Sequence, residues 1–212
     1  MNLNVKGWRA ALLGAGAAMA VLLASCGGGE QVQQFHATRV FAFGDETSVI
    51  NSDGTKYSIN ALTTTGTTDC ASNPLWVQSI AALYGLVFPQ CNVNAVPGPT
   101  SRIYATVGAR VANLSLQIDQ QINAGGFADG DLATVLIGAN DIIDQFQQYP
   151  GVSEDQLNAN LEQAASDLAA QVNRLADLGV KVIVVTAPDM PMPSMPGAAR
   201  SRRKTSTTHE TR

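Results

Sequence analysis

Three short polar segments contain the residues best suited to chemistry, and each follows an apolar run that predicts a strand. They are residues 43–48, which include Glu46 and Ser48, residues 104–109, which include Gly108, and residues 137–141, which include Asn140. In an open α/β sheet, ligands bind beyond the carboxyl ends of the strands. We therefore predict that the polar groups of these three segments meet around one point at that edge of a sheet.

Taken singly, the same residues also have ordinary structural explanations. Gly108 suits a tight turn, Asn140 suits a helix N-cap, and Ser48 suits a turn or cap hydroxyl. Only the order of the three segments behind successive strands favours a functional site.

The three cysteines divide into one near the amino terminus, Cys26, and a pair, Cys70 and Cys91. An even pair in an exported protein favours a disulfide, which would stabilise the fold by on the order of 3 kcal/mol. Two free buried thiols are the alternative. Neither cysteine has His or Asp neighbours at the spacing of zinc ligands, so no metal site is predicted.

The amino-terminal segment has the pattern of an export signal. Lys6 and Arg9 precede an apolar run over residues 10–24, which is shorter than the roughly 20 residues that span a bilayer. The run ends in Leu-Ala-Ser-Cys at residues 23–26, which resembles the bacterial lipoprotein lipobox, where the cysteine is lipidated. An ordinary cleaved signal followed by a chance cysteine is the alternative.

This resemblance implies a signal peptide over residues 1–25, a lipid on Cys26 and a flexible tether over residues 26–37. Gly27 follows the cysteine where an Asp would signal retention in the inner membrane. We therefore expect a protein of the bacterial cell envelope, lipid-anchored to the outer membrane and facing the periplasm or the surface.

Composition limits the function classes. Hydrophobic residues make up 45% of the chain, which excludes a wholly disordered protein, and the formal net charge of −4 argues against a nucleic-acid partner. Bases are concentrated at the two ends of the chain, with an acidic body between them.

The body predicts alternating strands and helices. Strands are predicted at residues 40–43, 103–107, 132–137 and 180–186, and a hairpin at residues 49–59 around Asp53-Gly54. Helices are predicted after Pro74, over residues 111–122 and, from a capping box at Ser153, up to Gly179. This order indicates an α/β fold with a parallel sheet.

The three polar segments, in their order, resemble the SGNH (GDSL) ester-hydrolase family over about residues 38–190. The sharpest match is the family's G-x-N-D block, present here at residues 138–141. The resemblance implies a flavodoxin-like three-layer α/β/α sandwich, no cofactor and, as ligand, a lipid ester or another small acyl ester. It also implies that the backbone N–H of Gly108 and the side-chain amide of Asn140 stabilise the oxyanion of the reaction, each by roughly 3–4 kcal/mol.

Two departures from the family pattern put activity in doubt. The nucleophilic Ser of the family directly follows Gly-Asp, and Glu46 occupies that position here. A carboxylate is a poor acyl-transfer nucleophile, and its charge opposes an oxyanion beside it; replacement by Ser48 is the alternative. The Asp-x-x-His of the family is also missing, because His36 precedes the first strand and His209 has Ser206 three positions before it.

The composition changes abruptly after Asp189 to a basic stretch, predicted as a disordered tail over residues 191–212. The tail indicates a frameshifted or truncated reading frame, and therefore a fold incomplete at its C-terminus. A genuine basic tail that binds anionic surfaces is the alternative.

We therefore expect an SGNH-type hydrolase of lipid or acyl esters that is inactive or nearly so. One alternative is a non-catalytic envelope lipoprotein that binds an acyl or glycan ligand, with Glu46 contacting the ligand. A purely structural envelope lipoprotein is the other.

Overall fold

The structure, a computed structural model, describes residues 34–185. The elements below all belong to the unit that begins at His36. The predicted signal peptide, Cys26 and the tail over residues 191–212 lie outside the described residues, as does most of the predicted tether.

Within the described residues, six strands and four α-helices follow one another along the chain. The strands are β1 (Arg39–Gly44), β2 (Ala61–Leu62), β3 (Thr68–Asp69), β4 (Arg102–Ile103), β5 (Asp131–Leu136) and β6 (Lys181–Val184). The helices are α1 (Trp76–Leu83), α2 (Leu114–Asn123), α3 (Ala139–Gln148) and α4 (Glu154–Asp177). In this part of the chain, no helix has both the length and the apolar character needed to cross a bilayer.

The strands β4, β1, β5 and β6 form, in that order, the predicted parallel sheet. β1 pairs with β5 along its whole length, from Arg39 opposite Asp131 to Gly44 opposite Leu136. Since all four strands run the same way, their carboxyl ends lie at one edge of the sheet. The three polar segments identified in the sequence leave the sheet at that edge.

Both faces of the sheet are buried, as expected for parallel strands. One face of β1 and β5 packs in a cluster with α2 and α4: Phe41, Phe43, Leu114, Ile118, Ala133, Val135 and Leu175. The residues that alternate with these on the two strands are equally inaccessible: Val40, Ala42, Leu132 and Thr134. A sheet covered on both sides fits the predicted three-layer α/β/α architecture.

An ion pair joins the starts of β1 and β5. The Arg39 guanidinium donates to both carboxylate oxygens of Asp131, at 2.7 and 2.6 Å, and the same carboxylate accepts the backbone N–H of Ala128 at 2.7 Å. The Asp131 side chain has no exposed surface. Every contact of this carboxylate therefore lies inside the protein and fixes the β1–β5 register at one end.

The loops before α1 are held by a disulfide and a buried cation. Cys70 and Cys91 form the predicted disulfide. Beside it, the buried ammonium of Lys56 donates to the backbone carbonyls of Cys70, Ser72 and Asn73 at 2.7–3.0 Å. Burial lowers the pKa of Lys56, with Asp69 opposing this effect electrostatically.

The hairpin predicted over residues 49–59 does not form two strands. Ile50 and Lys56 make a single antiparallel bridge, while Tyr57 and Ile59 are largely exposed. The turn at Gly54 is present, but Lys56 turns towards the disulfide loop instead of extending a strand. The contacts of one buried cation thus override the local hairpin pattern.

Candidate active site

Gly44, at the end of β1, is hydrogen-bonded to α2 and lies close to the end of β5. Gln117 from α2 accepts the N–H of Gly44 at 2.7 Å and donates to its carbonyl at 2.8 Å. Gly44 has φ +137°, and a Cβ placed on it would lie 2.0 Å from the carbonyl oxygen of Leu136. Only glycine fits this close approach, so the direction in which the chain leaves β1 is fixed.

Asp45 caps the short 3-10 helix Glu46–Ser48, which the chain enters directly after Gly44. Its Oδ1 accepts the backbone N–H of Thr47 at 3.0 Å and the Thr47 hydroxyl at 2.6 Å. Its Oδ2 is buried with no hydrogen-bond partner in the described part of the chain. Burial raises the pKa of Asp45, although the Thr47 contacts oppose the shift. The cap thus orients the helix that carries Glu46.

Ser48 is buried and bonded to a residue outside the candidate site. Its side chain is fully buried, and its hydroxyl accepts the indole N–H of Trp76 at 3.2 Å. A hydroxyl with no access to solvent cannot attack a bound ester. The structure therefore gives Ser48 a packing role against α1 and leaves Glu46 as the partly exposed functional group of this turn.

Gly108 lies in a turn that sets the direction of its backbone N–H. The N–H of Ala109 donates to the carbonyl of Thr106 at 3.2 Å, which places Gly108 at the third position of a four-residue turn. Gly108 has φ +75° and Val107 does not have a positive φ, a combination that defines a type II turn. In this turn type the central peptide, which includes the N–H of Gly108, is flipped relative to a type I turn.

Asn140 is the second residue of α3, and Gly138 rather than Asn140 occupies the N-cap position. The side-chain amide is therefore not used to cap the helix. It donates to the carbonyl of Ala109 at 3.1 Å and to Oε2 of Glu46 at 3.0 Å. The helix start thus presents the amide to the loop that contains Gly108.

The two donors converge on a single oxygen atom. Oε2 of Glu46 accepts the N–H of Gly108 at 2.9 Å and the side-chain amide of Asn140 at 3.0 Å. The structure thus brings together Glu46, Gly108 and Asn140 from three separate strand ends, and it does not bring Ser48 to them. A carboxylate oxygen of the protein stands where these donors would bind the oxygen of a ligand.

Hydrogen bonding keeps the carboxyl group of Glu46 in its charged form. Partial burial raises the pKa of Glu46, but hydrogen bonds from its own backbone N–H, from Gly108 and from Asn140 outweigh burial and leave the pKa lowered. At neutral pH the site therefore holds a carboxylate rather than a neutral acid. Donors that stabilise a negative oxygen in this way are suited to stabilising an oxyanion.

The site lacks a histidine among the described residues. His36 is the one histidine in this range, and it precedes β1, whereas Glu46 follows it. The six residues of β1 separate the two by roughly 20 Å. A general base must be within hydrogen-bond reach of the proton it removes, so His36 cannot serve this site. His209 lies outside the described residues.

Four further residues support the site, and the sequence analysis assigned no role to them: Gln117, Asp141, Arg110 and Asp144. Gln117 holds Gly44, Asp141 accepts the N–H of Val111 at 3.0 Å, and Arg110 pairs with Asp144. The sequence marks Asp141 as part of the G-x-N-D block. The other three join segments that are far apart in the chain, and no local pattern identifies them.

In the comparison with known proteins, a family model described as GDSL-like Lipase/Acylhydrolase matches residues 40–209. The match covers most of the segment in which the resemblance was seen and continues past residue 190. No curated protein matches the chain. Within residues 34–185, no group of three or more His, Cys, Asp or Glu side chains is placed to hold a metal ion.

Proposed function

The chain belongs to the GDSL-like lipase/acylhydrolase family, and from this premise we propose that it is an ester hydrolase in which Glu46 blocks the site. The substrate class of the unblocked site is a lipid ester or another acyl ester. With Glu46 in place, we expect the chain to hydrolyse such esters at a negligible rate.

The contact of Glu46 with Gly108 and Asn140 carries this proposal. Hydrolysis of an ester places negative charge on the carbonyl oxygen, which must lie about 2.7–3.1 Å from its donors. Oε2 of Glu46 already lies 2.9 and 3.0 Å from the two donors of this site. An ester carbonyl can therefore enter only if Glu46 gives up both hydrogen bonds, and a bond to a charged group contributes roughly 1.5–3 kcal/mol.

A nucleophile and a general base for the reaction are also missing within the described residues. The position that follows Gly44-Asp45 carries a carboxylate, the hydroxyl of Ser48 is buried, and His36 lies at the far end of β1. Oxyanion donors without a nucleophile and a base leave only a fraction of the acceleration. We therefore assign residues 34–185 a preformed oxyanion-binding position without the groups that would use it.

Incubating the purified protein with p-nitrophenyl butyrate tests this assignment. We expect no release of p-nitrophenol above the buffer rate, and we expect the Ser48→Ala variant to behave in the same way. The measurement is the absorbance of p-nitrophenolate at several enzyme concentrations. Hydrolysis that scales with enzyme and disappears in Ser48→Ala would refute the blocked site and make Ser48 the nucleophile.

We further propose that the protein is anchored to the bacterial outer membrane by a lipid on Cys26. The lipobox over residues 23–26 and the apolar run before it support this proposal. The folded core includes residues soon after this cysteine in the sequence, since Ala37 is already buried and β1 starts at Arg39. A tether of about ten residues would hold the domain near the bilayer, where acyl esters are abundant.

Replacing Cys26 by serine is expected to abolish anchoring, because serine cannot carry the thioether-linked lipid. In cells given radiolabelled palmitate, the unmodified protein should be labelled and recovered with membranes. Cys26→Ser should be unlabelled and absent from the membrane fraction. Cys70→Ser is not a suitable control, since it breaks the disulfide; Ser25→Ala retains small residues before the cysteine and should remain anchored. Fatty-acid labelling of Cys26→Ser would exclude the lipoprotein assignment.

A further inference from the structure

The loop that carries Gly108 and the helix that carries Asn140 are joined by three contacts besides those to Glu46. The Asn140 amide donates to the carbonyl of Ala109 at 3.1 Å, and the Asp141 carboxylate accepts the N–H of Val111 at 3.0 Å. The third contact is an ion pair between Arg110 on the loop and Asp144 on α3. The relative position of the two oxyanion donors depends on these contacts.

Arg110 makes contacts in two directions. Its Nε and Nη2 donate to the two carboxylate oxygens of Asp144, the latter at 2.9 Å, and its Nη1 donates to the carbonyl of Gly108 at 3.1 Å. Asp144 lies four residues after Asn140, so both side chains project from the same face of α3. One planar guanidinium therefore links the backbone of the donor glycine to the helix of the donor asparagine.

Stability alone does not explain this arrangement. The side chains of Arg110 and Asp144 are 48% and 33% exposed, and exposed ion pairs contribute little to the stability of the fold. The pair acts instead on the position of the loop. The guanidinium holds the peptide that follows Gly108, through its carbonyl, to the Asp144 carboxylate on α3, and so restrains the Gly108 loop relative to that helix.

We propose that Arg110, held by Asp144, is a positioning residue that keeps the N–H of Gly108 and the amide of Asn140 aimed at one oxygen atom. This inference rests on the proposed function, since it concerns the same pair of donors. It adds that their alignment is imposed from outside the site, by a guanidinium that does not contact Glu46 in the structure. Lysine could keep the charge, but it lacks the planar fork that reaches both Asp144 and the Gly108 carbonyl.

Titration of Glu46 by NMR tests the inference without requiring any enzymatic activity. The carboxyl carbon of Glu46, assigned by its loss in Glu46→Gln, is followed against pH in the purified protein and in Arg110→Ala and Arg110→Lys. Asp45 is the carboxyl that interacts electrostatically with Glu46, and it is unchanged in every variant. Arg174→Ala is the matched control, since Arg174 forms an ion pair of similar exposure with Asp119.

We expect the pKa of Glu46 to lie below its ordinary value of about 4.3 in the unmodified protein and in Arg174→Ala. It should rise by about half a pH unit in both Arg110→Ala and Arg110→Lys, because the donors lose alignment while the lysine retains the charge. An unchanged pKa in Arg110→Ala would overturn the positioning role. A rise in Arg110→Ala without a rise in Arg110→Lys would overturn it too, since charge alone would then act.

An ordinary pKa of Glu46 in the unmodified protein would have a different meaning. It would contradict the occupied oxyanion position itself, and the positioning role would fall with it. The titration therefore distinguishes a failure of the proposed function from a failure of this inference alone.

Discussion

The Gly44→Ala variant is expected to be strongly destabilised. The added Cβ would lie 2.0 Å from the carbonyl oxygen of Leu136, a backbone atom that already accepts the N–H of Asp45 at 3.1 Å. Neither strand can move away from the other, because β1 and β5 pair along their whole length. Gln117 also forms hydrogen bonds with both backbone groups of Gly44. We expect a loss of more than about 4 kcal/mol, against a total stability of roughly 5–15 kcal/mol.

Gly66→Ala is the matched control for this substitution. Gly66 also has a positive φ, +81°, but a Cβ placed there meets nothing within 4 Å. The control should lose only the conformational cost of alanine in this region, about 1–2 kcal/mol. Urea unfolding followed by circular dichroism measures both variants. If the free energies of unfolding of Gly44→Ala and Gly66→Ala differ by less than about 1 kcal/mol, the usual extrapolation uncertainty, the close approach of β1 to Leu136 is wrong.

Glu46→Ala is expected to convert the blocked site into one that binds a small carboxylate. The substitution removes the acceptor of the Gly108 N–H and of the Asn140 amide and leaves both donors facing a space of carboxylate size. Acetate should enter it with a Kd on the order of millimolar. In 100 mM sodium acetate the variant should then melt roughly 3–8 °C higher than in 100 mM sodium chloride.

Glu46→Gln provides the control for this experiment. The carbonyl oxygen of glutamine can accept from both donors, so the position stays filled and acetate should have no effect beyond that of chloride. The unmodified protein should behave in the same way. Equal melting temperatures of Glu46→Ala in acetate and in chloride would show that the two donors do not form an anion-binding position.

The sheet could be predicted from the sequence because its central strands are short, apolar and bounded by glycine or by polar residues. The predicted strands at residues 40–43 and 132–137 correspond to Arg39–Gly44 and Asp131–Leu136. The long helix could be predicted from its capping residue Ser153 and from Gly179 at its end. The structure shows the N-cap contact from Ser153 and a positive φ at Gly179. In these segments local pattern and burial agree.

Helices near the site were harder to predict. The helix predicted after Pro74 ends at Leu83, and Leu83 is largely exposed while Val77 and Ala81 are the buried residues. The α3 helix was not predicted at all. It has an apolar side that includes Ile143 and Phe146, but none of its residues is buried and these two side chains are about half exposed. It contacts both the Gly108 loop, through Asp144, and α4, where Asn160 donates to Gln145 at 2.8 Å.

The contacts of Glu46 could be predicted only in part from the sequence. The sequence identified Glu46, Gly108 and Asn140 as neighbours at one sheet edge, and it identified Glu46 as a poor nucleophile. It did not show that the carboxylate would reach the two donors. That contact depends on the direction in which the 3-10 helix leaves Gly44 and on the type of turn at Gly108, both of which are set by tertiary contacts.

The pairing of β1 with β5 has a consequence for the order in which the chain folds. Each residue of β1 pairs with a partner 92 positions later, as Arg39 does with Asp131. The earliest strand of the sheet is therefore an inner strand whose neighbours are both synthesised later, and the entropy of closing that loop must be lost before the pairing is gained. Until residue 136 has emerged, β1 lacks its long partner β5, and the shorter β4 pairs only with Phe41 and Ala42. Slow folding therefore follows from the topology of the sheet.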